Sequence, residues 1–445
     1  MSSTGTAFDP QTLEALLTDG GKVLTAPDDL AAYGCDWTRI YEPAPIAVVL
    51  PKSTEEVQAI VRFANEHSIA LVPSGGRTGL SAGAVAANGE LVVAMDRMSR
   101  ILDFNANDRL VRCEAGVVTE QLQQYAEEQG LYYPVDFASA GSSELGGNIA
   151  TNAGGIKVIR YGMTRDWVLG LKVVTGTGEI LELNNGLEKN NTGYDLRQLF
   201  IGGEGTLGFI TEATMKLARQ PSNLTVMVLG LNDLTNTMDV LQTFRSKLDL
   251  TAYEFFPMKP SIMFRPMRRC PGRLRLSALI MRFWSSRRFP RVLWKRPWRF
   301  SRHCVEQGWV VDGVISQSES QAEKLWQLRE RISESIAPHT PYKNDLSVRI
   351  SLVPEFLSEI HSVVQKEYPD FEIIWYGHIG DGNLHLNILK PAEMEKQEFF
   401  KRCETVNDLV LRLFSAMAVV FPRSMVWGWL RRSTWAIPRA RRRLW

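Results

Sequence analysis

Three stretches rich in small residues and nearly free of charge, all between positions 73 and 208, constrain this chain more than any other feature. The first is Pro73-Ser74-Gly75-Gly76-Arg77-Thr78-Gly79-Leu80-Ser81-Ala82-Gly83. The second couples Tyr133-Pro134-Val135-Asp136 to Gly141-Ser142-Ser143 and then to Gly146-Gly147-Asn148-Ile149-Ala150-Thr151-Asn152-Ala153-Gly154-Gly155. The third is Gly202-Gly203-Glu204-Gly205-Thr206-Leu207-Gly208. Glycine lets successive backbone N–H groups converge on a phosphate with no side chain in the way, and Ser and Thr hydroxyls add donors. The first run does not open a long helix as GxGxxG and carries no P-loop lysine, so neither nucleotide fingerprint is met. Any one run alone is a weak signal, with a simple flexible turn as the lesser alternative. Three in one region point to a large, polar, elongated ligand laid along backbone.

Composition sets the frame. At 445 residues the chain is too long for one core and predicts two or three domains. A hydrophobic fraction of 44% excludes disorder, and the scattered 34 Gly and 21 Pro exclude collagen-like or low-complexity character. No uncharged apolar run approaches the roughly 18 residues of a membrane span, and none is predicted. The N-terminus lacks an apolar core behind a basic start, so no secretory leader is expected. Cys35, Cys113, Cys270, Cys304 and Cys403 are far apart and odd in number. Reduced thiols in a cytoplasmic protein are the expectation, with peripheral contact to the inner membrane left open.

The formal charge of +2 hides a split. Met258 to Cys304 holds 12 Arg and 2 Lys with no acid, and Phe421 to Trp445 holds 7 Arg with no acid. Without those 21 bases the rest of the chain has 30 bases against 49 acids. The same stretches carry 7 of the 12 Trp. Arg interleaved with Trp can grip phosphates and stack on bases, or rest on an anionic membrane. Clustered charge alone is a weak pattern, neither stretch keeps a helical or alternating period for long, and no nucleic-acid partner is expected.

Periodicity predicts α/β order at the start. Pro45–Leu50 reads as a buried strand, Ser53 and Glu56 as a capping box ahead of Val57, Ile60, Val61 and Ala64, and Ile69–Pro73 as a strand entering the first glycine run. Strands follow near Leu91–Met95 and Leu110–Glu114, then a helix with Thr119 as N-cap that stops at Gly130. Strands at Trp167–Val174 and Gly208–Lys216 complete this region. A second begins near Pro221, with helices near Asp233–Lys247 and Gln321–Ile336, and closes around Phe371–Leu389.

Two further patterns carry chemistry. In Gly377-His378-Ile379-Gly380-Asp381-Gly382-Asn383-Leu384-His385-Leu386-Asn387 two His stand seven apart across a glycine turn. Neutral imidazoles so placed can converge on Zn, Mn or Fe, although a turn His satisfied by backbone is as common. The helix Leu325–Ser333 places Arg329 and Ser333 one turn apart, with Lys343 downstream in Tyr342–Ser347. An Arg fork suits a carboxylate, and a solvated charged helix is the alternative.

In order, spacing and wording, these motifs resemble the FAD-linked oxidases of the vanillyl-alcohol-oxidase (PCMH-type) family. The branch is that of glycolate oxidase flavoprotein subunits, D-lactate dehydrogenases and D-2-hydroxyglutarate dehydrogenases. The resemblance covers about Ala47 to Pro257 and about Val305 to Leu411. It implies an α+β protein with a two-part α/β FAD-binding domain at 1–218 and a ferredoxin-like antiparallel substrate (cap) domain at 219–410. It further implies that Ser74, Gly75, Gly76, Arg77, Thr78, Gly79 and Ser81 hold the FAD pyrophosphate. Pro134, Asp136, Gly141, Ser142, Gly146, Asn148, Thr151 and Ile210 would line the isoalloxazine and ribityl parts. No His or Cys lies in these loops, so the FAD is expected to be non-covalent. Arg329, Ser333 (often Thr in relatives), Lys343 and Asn387 would contact substrate, and His378 with His385 would hold a divalent metal. The implied reaction takes a D-2-hydroxy acid of the lactate, glycolate or 2-hydroxyglutarate class to the 2-oxo acid. Hydride goes to flavin N5, and electrons pass on to a quinone, cytochrome or flavoprotein. A homodimer is compatible with the resemblance.

One family feature is missing. A GGSISAEHGIG-like segment, whose Glu is a metal ligand and whose His is the expected base, has no counterpart, and Met417–Trp429 stands in its place. Read one nucleotide back, permitted codons from Met417 can give HGGSISAEHGVGLAKKEYLGYSP, and those from Met258 an acidic, amphipathic sequence. Two frame disruptions are therefore expected, at 258–303 and in an aberrant tail at 411–445. The alternative function is then a catalytically inactive, FAD-binding remnant, and the catalytic base is unassigned.

Overall fold

In a computed structural model of the chain the described residues are 9, 11–18, 20–38, 41–221, 224–231, 233–257, 277–284 and 295–404. They fall into two units, Met1–Gly154 with Gly162–Gln220 and Gly155–Tyr161 with Pro221–Pro422. The tail expected at 411–445 and most of 258–303 lie outside the described residues.

The first unit opens with β1 (Lys22–Leu24), β2 (Ala47–Leu50), β3 (Leu71–Ser74) and β4 (Leu91–Ala94) in the order β1-β2-β4-β3. β2 and β3 flank β4 in parallel, and β2 and β4 are buried at every position, as continuous apolar runs require. The crossover helix Thr54–His67 buries Val57, Ile60, Val61 and Ala64 on one face. Ser53 caps it by accepting from Glu56 N. The return half of the capping box is absent, because the buried Glu56 carboxylate accepts from Thr18 N at 2.9 Å and Lys52 N at 2.7 Å instead.

A second sheet has the order β5-β6-β9-β7-β8, from β5 (Ile101–Asn105), β6 (Leu110–Glu114), β7 (Val168–Thr175), β8 (Ile180–Leu183) and β9 (Gly208–Lys216). It is antiparallel throughout. The helix Thr119–Glu128 takes Val118 as N-cap, not Thr119. The Thr119 hydroxyl is engaged elsewhere, with Ser143 at 2.7 Å and as acceptor from Asn148 Nδ2 at 2.6 Å. Gly130, at φ +67°, ends the helix as expected.

In the second unit β10 (Leu224–Leu231), β11 (Asp249–Pro257), β12 (Ser277–Trp284) and β13 (Asp312–Ile315) form an antiparallel sheet in the order β11-β12-β10-β13. β12 comes from inside the Arg/Trp-rich stretch, yet it is paired on both sides. Its run Leu279-Ile280-Met281 is fully buried, the pattern of an interior strand. The helix expected over 321–336 is two, Glu319–Glu330 and Ile332–Ile336, broken at Arg331.

β14 (Tyr342–Ser347), β15 (Ile373–Tyr376) and β16 (Asn383–Ile388) form an antiparallel sheet in the order β14-β16-β15. Phe255 and Gly377 exchange two backbone hydrogen bonds of 3.1 Å, which joins β11 to the end of β15. Register places Lys343 opposite Asn387, and both Asp345 and Tyr376 opposite His385, so these side chains share one face. Leu346, Leu384, Leu386 and Ile388 alternate onto the other face and enter the core with Phe255 and Phe356. No helix among the described residues is long and apolar enough to cross a membrane.

Candidate functional site

The glycine runs meet. Gly76 packs so closely on the second run that a Cβ there would lie 2.0 Å from Ser142 O. Gly205, at φ +74°, sits against Pro73, whose Cγ would be 2.3 Å from an added Cβ. Gly202 N and Glu204 N donate to Ile149 O and Ala150 O at 3.0 and 2.9 Å, seating the third run on the second. Three segments far apart in sequence thus form one backbone surface, and only glycine is tolerated at the points of closest approach.

Within it the expected cofactor residues are placed unequally. Ser74 is buried at the end of β3, while Thr78 and Ser81 are half-buried and Gly79 is exposed. No atom lies within 4 Å of where a Cβ on Gly79 or Gly147 would stand, so both border open space. Pro134, Gly146, Asn148 and Ile210 are buried, Asp136 is half-buried, and Gly141, Ser142 and Thr151 are exposed. Asn148 is committed to Thr119, and Thr151 Oγ1 donates to Gly147 O at 2.9 Å.

Arg77 departs from its expected role. Its Nη2 donates to Asp96 Oδ1 at 2.8 Å, its Nη1 donates to Gly75 O at 2.6 Å, and its guanidinium lies 4.4 Å from the Tyr33 ring centroid. It shapes the loop from behind with its charge already paired. A pyrophosphate here meets backbone N–H groups and hydroxyls rather than a free cation.

Glu144, not expected in the site, lies beside Gly75. Its carboxyl is buried, and Oε2 has no hydrogen-bond partner. Burial pushes this group up to about 8; Asp96 adds to the rise and Arg77 opposes it. An orphaned carboxyl oxygen, open space beside two glycines and an uncharged backbone surface fit the polar length of FAD.

The second unit gathers charged side chains. Arg329 is only 5% exposed, and its Nε lies 2.9 Å from Oε2 of Glu254, which is 1% exposed. The N–H does not point at that oxygen, so the contact is ionic rather than a hydrogen bond. Glu254 Oε1 lies 2.7 Å from His378 Nδ1. The Arg329 guanidinium also stacks 4.6 Å from the Tyr376 ring centroid, and Ser333 Oγ meets Tyr376 Oη at 2.7 Å. The helix break at Arg331 does not separate Arg329 from Ser333, since both reach Tyr376.

His378 and His385 stand edge to face with ring centroids 5.1 Å apart, and His385 Nδ1 is 3.6 Å from Asp345 Oδ1. Burial first, then the nearby His378, Arg329 and Lys343, holds His385 well below the usual imidazole range. Burial likewise lowers the Lys343 ammonium. Burial pushes Asp381 up to about 7, an effect that His378 opposes and Glu254 reinforces. Asn387 is buried with Nδ2 donating to Ile374 O at 3.3 Å and with Oδ1 unpartnered.

The expected metal pair therefore converges but is only part of a donor set. A protein metal site commonly takes three or more protein ligands. Among the described residues no group of three His, Cys, Asp or Glu side chains could hold an ion.

Glu254 and Tyr376 escaped the sequence reading. Glu254 did leave a signal: it is the one charge in the apolar run Thr251-Ala252-Tyr253-Glu254-Phe255-Phe256, and a buried acid needs a partner.

Fold and loops together define a flavin-binding architecture, and comparison with known proteins narrows it. Residues 45–184 match the family described as FAD binding domain, and residues 220–418 match the FAD linked oxidases, C-terminal domain. A D-2-hydroxyglutarate dehydrogenase of Stutzerimonas stutzeri (strain A1501) is 61% identical over 407 residues, 90% of this chain and 87% of that protein. The mitochondrial D-2-hydroxyglutarate dehydrogenase of Bos taurus is 34% identical, over 84% of this chain and 69% of that one. An alkyldihydroxyacetonephosphate synthase structure superposes with TM-score 0.72 at 17% identity, covering 97% of this chain and 84% of its own, a likeness of fold alone. The chain belongs to the FAD-linked oxidase family, in its D-2-hydroxy-acid dehydrogenase branch.

Proposed function

We infer that the chain oxidises D-2-hydroxyglutarate to 2-oxoglutarate. The observation that carries this reading is a pair of cations beside the half-buried His385: Lys343 stands on its sheet face opposite Asn387, and Arg329 stacks on Tyr376, which stands opposite His385. Lys343 has no hydrogen bond or ion pair among the described residues. A desolvated ammonium without a carboxylate is costly unless a ligand supplies one. Together with Arg329, whose charge Glu254 already meets, an unpaired Lys343 suits a dicarboxylate better than lactate or glycolate, and the relatives that are D-2-hydroxyglutarate dehydrogenases agree.

Bound FAD supplies the acceptor for the hydrogen and electron pair leaving C2. The chain's own residues do the rest. The glycine surface holds the cofactor without a covalent bond. Arg329 and Lys343 take the two carboxylates, and Asn387 Oδ1 is an acceptor in need of a donor. His378, held through Nδ1 by Glu254, leaves Nε2 to accept the hydrogen bond of the substrate hydroxyl and then its proton, as the C2 hydrogen leaves with its electron pair. Electrons then pass to a quinone, cytochrome or flavoprotein in the cytoplasm or at the inner membrane. The test is anaerobic: D-2-hydroxyglutarate bleaches the visible flavin band and D-lactate does so poorly. Equal bleaching by both overturns the substrate assignment.

One observation favours a second reading, the inactive remnant. The C-terminal family match stops at residue 418, next to Met417, where the expected Glu-His segment gives way to Arg/Trp-rich sequence. On this reading the purified chain is yellow and unbleached by any 2-hydroxy acid, and restoring the frame restores bleaching. An uninterrupted gene encoding an active protein excludes it.

A further inference from the structure

Glu254 is the only anion in contact with Arg329 among the described residues, and the same carboxylate also meets His378. The backbone enforces this double contact. Phe255 pairs with Gly377 through two hydrogen bonds in an antiparallel bridge, so the next residues along, Glu254 and His378, stand directly opposite each other. Gly380 N donates to Tyr253 O at 3.0 Å, which docks the histidine turn on the same strand. Burial excludes water from competing for either oxygen, since Glu254 is 1% exposed. On its other side Arg329 meets the Tyr376 ring, and Ser333 fixes Tyr376 by its hydroxyl. The guanidinium is held on two sides and the imidazole through one nitrogen, with one carboxylate common to both.

We propose that Glu254 is a positioning residue, whose single buried carboxylate sets the Arg329 guanidinium and the His378 imidazole relative to each other and aims both at substrate. The inference rests on the reading above, in which Arg329 and His378 bind the hydroxy acid. Glu254 touches neither substrate nor cofactor in this role. Its closest approach to Arg329 is to Nε, and no hydrogen bond joins it to either terminal nitrogen, so those donors remain for a ligand carboxylate. It also accepts from His378 Nδ1, which leaves Nε2 as the site-facing acceptor. The competing account is a buried ion pair that only holds the fold, and such pairs add little stability over apolar replacements.

Calorimetric titration of the FAD-loaded chain with 2-oxoglutarate separates these. E254Q is expected to bind about tenfold or more weakly, and E254D, which keeps the charge, to recover part of the loss. FAD content stays at the wild-type level in both. In the double variant E254Q/R329Q the second substitution adds little, because an Arg329 that is no longer aimed has already lost its contribution. Should E254Q fail to fold for want of a counter-charge, E254D and the double variant carry the same comparison. Wild-type affinity in E254Q or E254D, or fully additive losses in the double variant, overturns the proposal while leaving the site reading intact. Failure of the unsubstituted FAD-loaded chain to bind 2-oxoglutarate overturns the site reading itself, and the proposal with it.

Discussion

On the function proposed above, the two units bind by opposite means. In the first, the working surface is backbone: glycine runs meet at Gly76–Ser142 and Gly205–Pro73, and the one cation in the loop, Arg77, is paired to Asp96. In the second, the working surface is side-chain charge standing on one face of a short sheet and held by buried partners such as Glu254. A long, polar cofactor can be held by many weak backbone donors, with conformation as the only requirement. A small dicarboxylate must be gripped at a few points, and that needs desolvated charge with its cost offset locally. The first surface should therefore fail through sterics, and the second through electrostatics.

The largest expected effect tests the steric half. Gly76→Val puts a branched side chain where even a Cβ would meet Ser142 O at 2.0 Å. The two loops must part, and the purified protein is expected to retain almost no FAD by absorbance ratio. Gly79→Ala, where no atom lies within 4 Å, is expected to retain much more. Equal FAD content in the two variants breaks the contrast.

Glu144 is the exception inside the backbone surface, and it makes that surface pH-sensitive. Its carboxyl is pushed up to about 8 by burial, so the folded chain holds the proton more tightly than the unfolded chain does. Below the ordinary carboxyl range both states are protonated and the group costs nothing. As pH rises toward 8 the unfolded chain ionises first, and stability is lost, up to about 5 kcal/mol. Glu144→Gln should remove this loss, so its Tm advantage over wild type grows between pH 5 and 8 and then levels. FAD retention should follow the same course, since an ionised Glu144 repels the pyrophosphate. A Tm difference independent of pH shows that Glu144 is ionised in the folded chain.

Lys343→Met probes the charged face. Removing an ammonium that burial already disfavours should leave Tm unchanged or slightly higher. It should raise KM for D-2-hydroxyglutarate about 10- to 100-fold, the worth of one charge-assisted contact. KM for D-lactate should move little, because a monocarboxylate leaves one cation unused.

What the sequence disclosed follows the same division. The glycine runs were legible because a left-handed or crowded backbone leaves its mark on the residue that adopts it. The strand-helix-strand order of the first sheet was legible because β2, β3 and the helix Thr54–His67 each declare their period locally. Roles that depend on a distant partner were not. Arg77 reads as a phosphate ligand until Asp96 and Tyr33 come into place, and Glu56 and Thr119 read as capping residues until Thr18, Ser143 and Asn148 claim them. Glu254 gains its meaning only from the Phe255–Gly377 pairing, which no local pattern encodes. The interior strand Ser277–Trp284 was masked by the arginines around it, although its apolar centre obeys the ordinary rule.

Ser333→Ala gives the smallest and sharpest effect. The Ser333 hydroxyl is already bonded to Tyr376 Oη at 2.7 Å, so its loss removes about 1 kcal/mol of restraint on the ring against which Arg329 stacks. If Ser333 acts only through that ring, Tyr376→Phe should reproduce the change, a fall in kcat/KM of about fivefold, and the double variant should add nothing. A hydroxyl that instead contacts substrate directly would make the two losses additive. Ser333→Thr separates the outcomes further, since it keeps the hydroxyl but adds a methyl beside Tyr376. Near wild-type KM in Ser333→Thr, with the loss confined to Ser333→Ala and Tyr376→Phe, places the residue in the support of Arg329, so that even the weakest contact on this face acts by aiming charge.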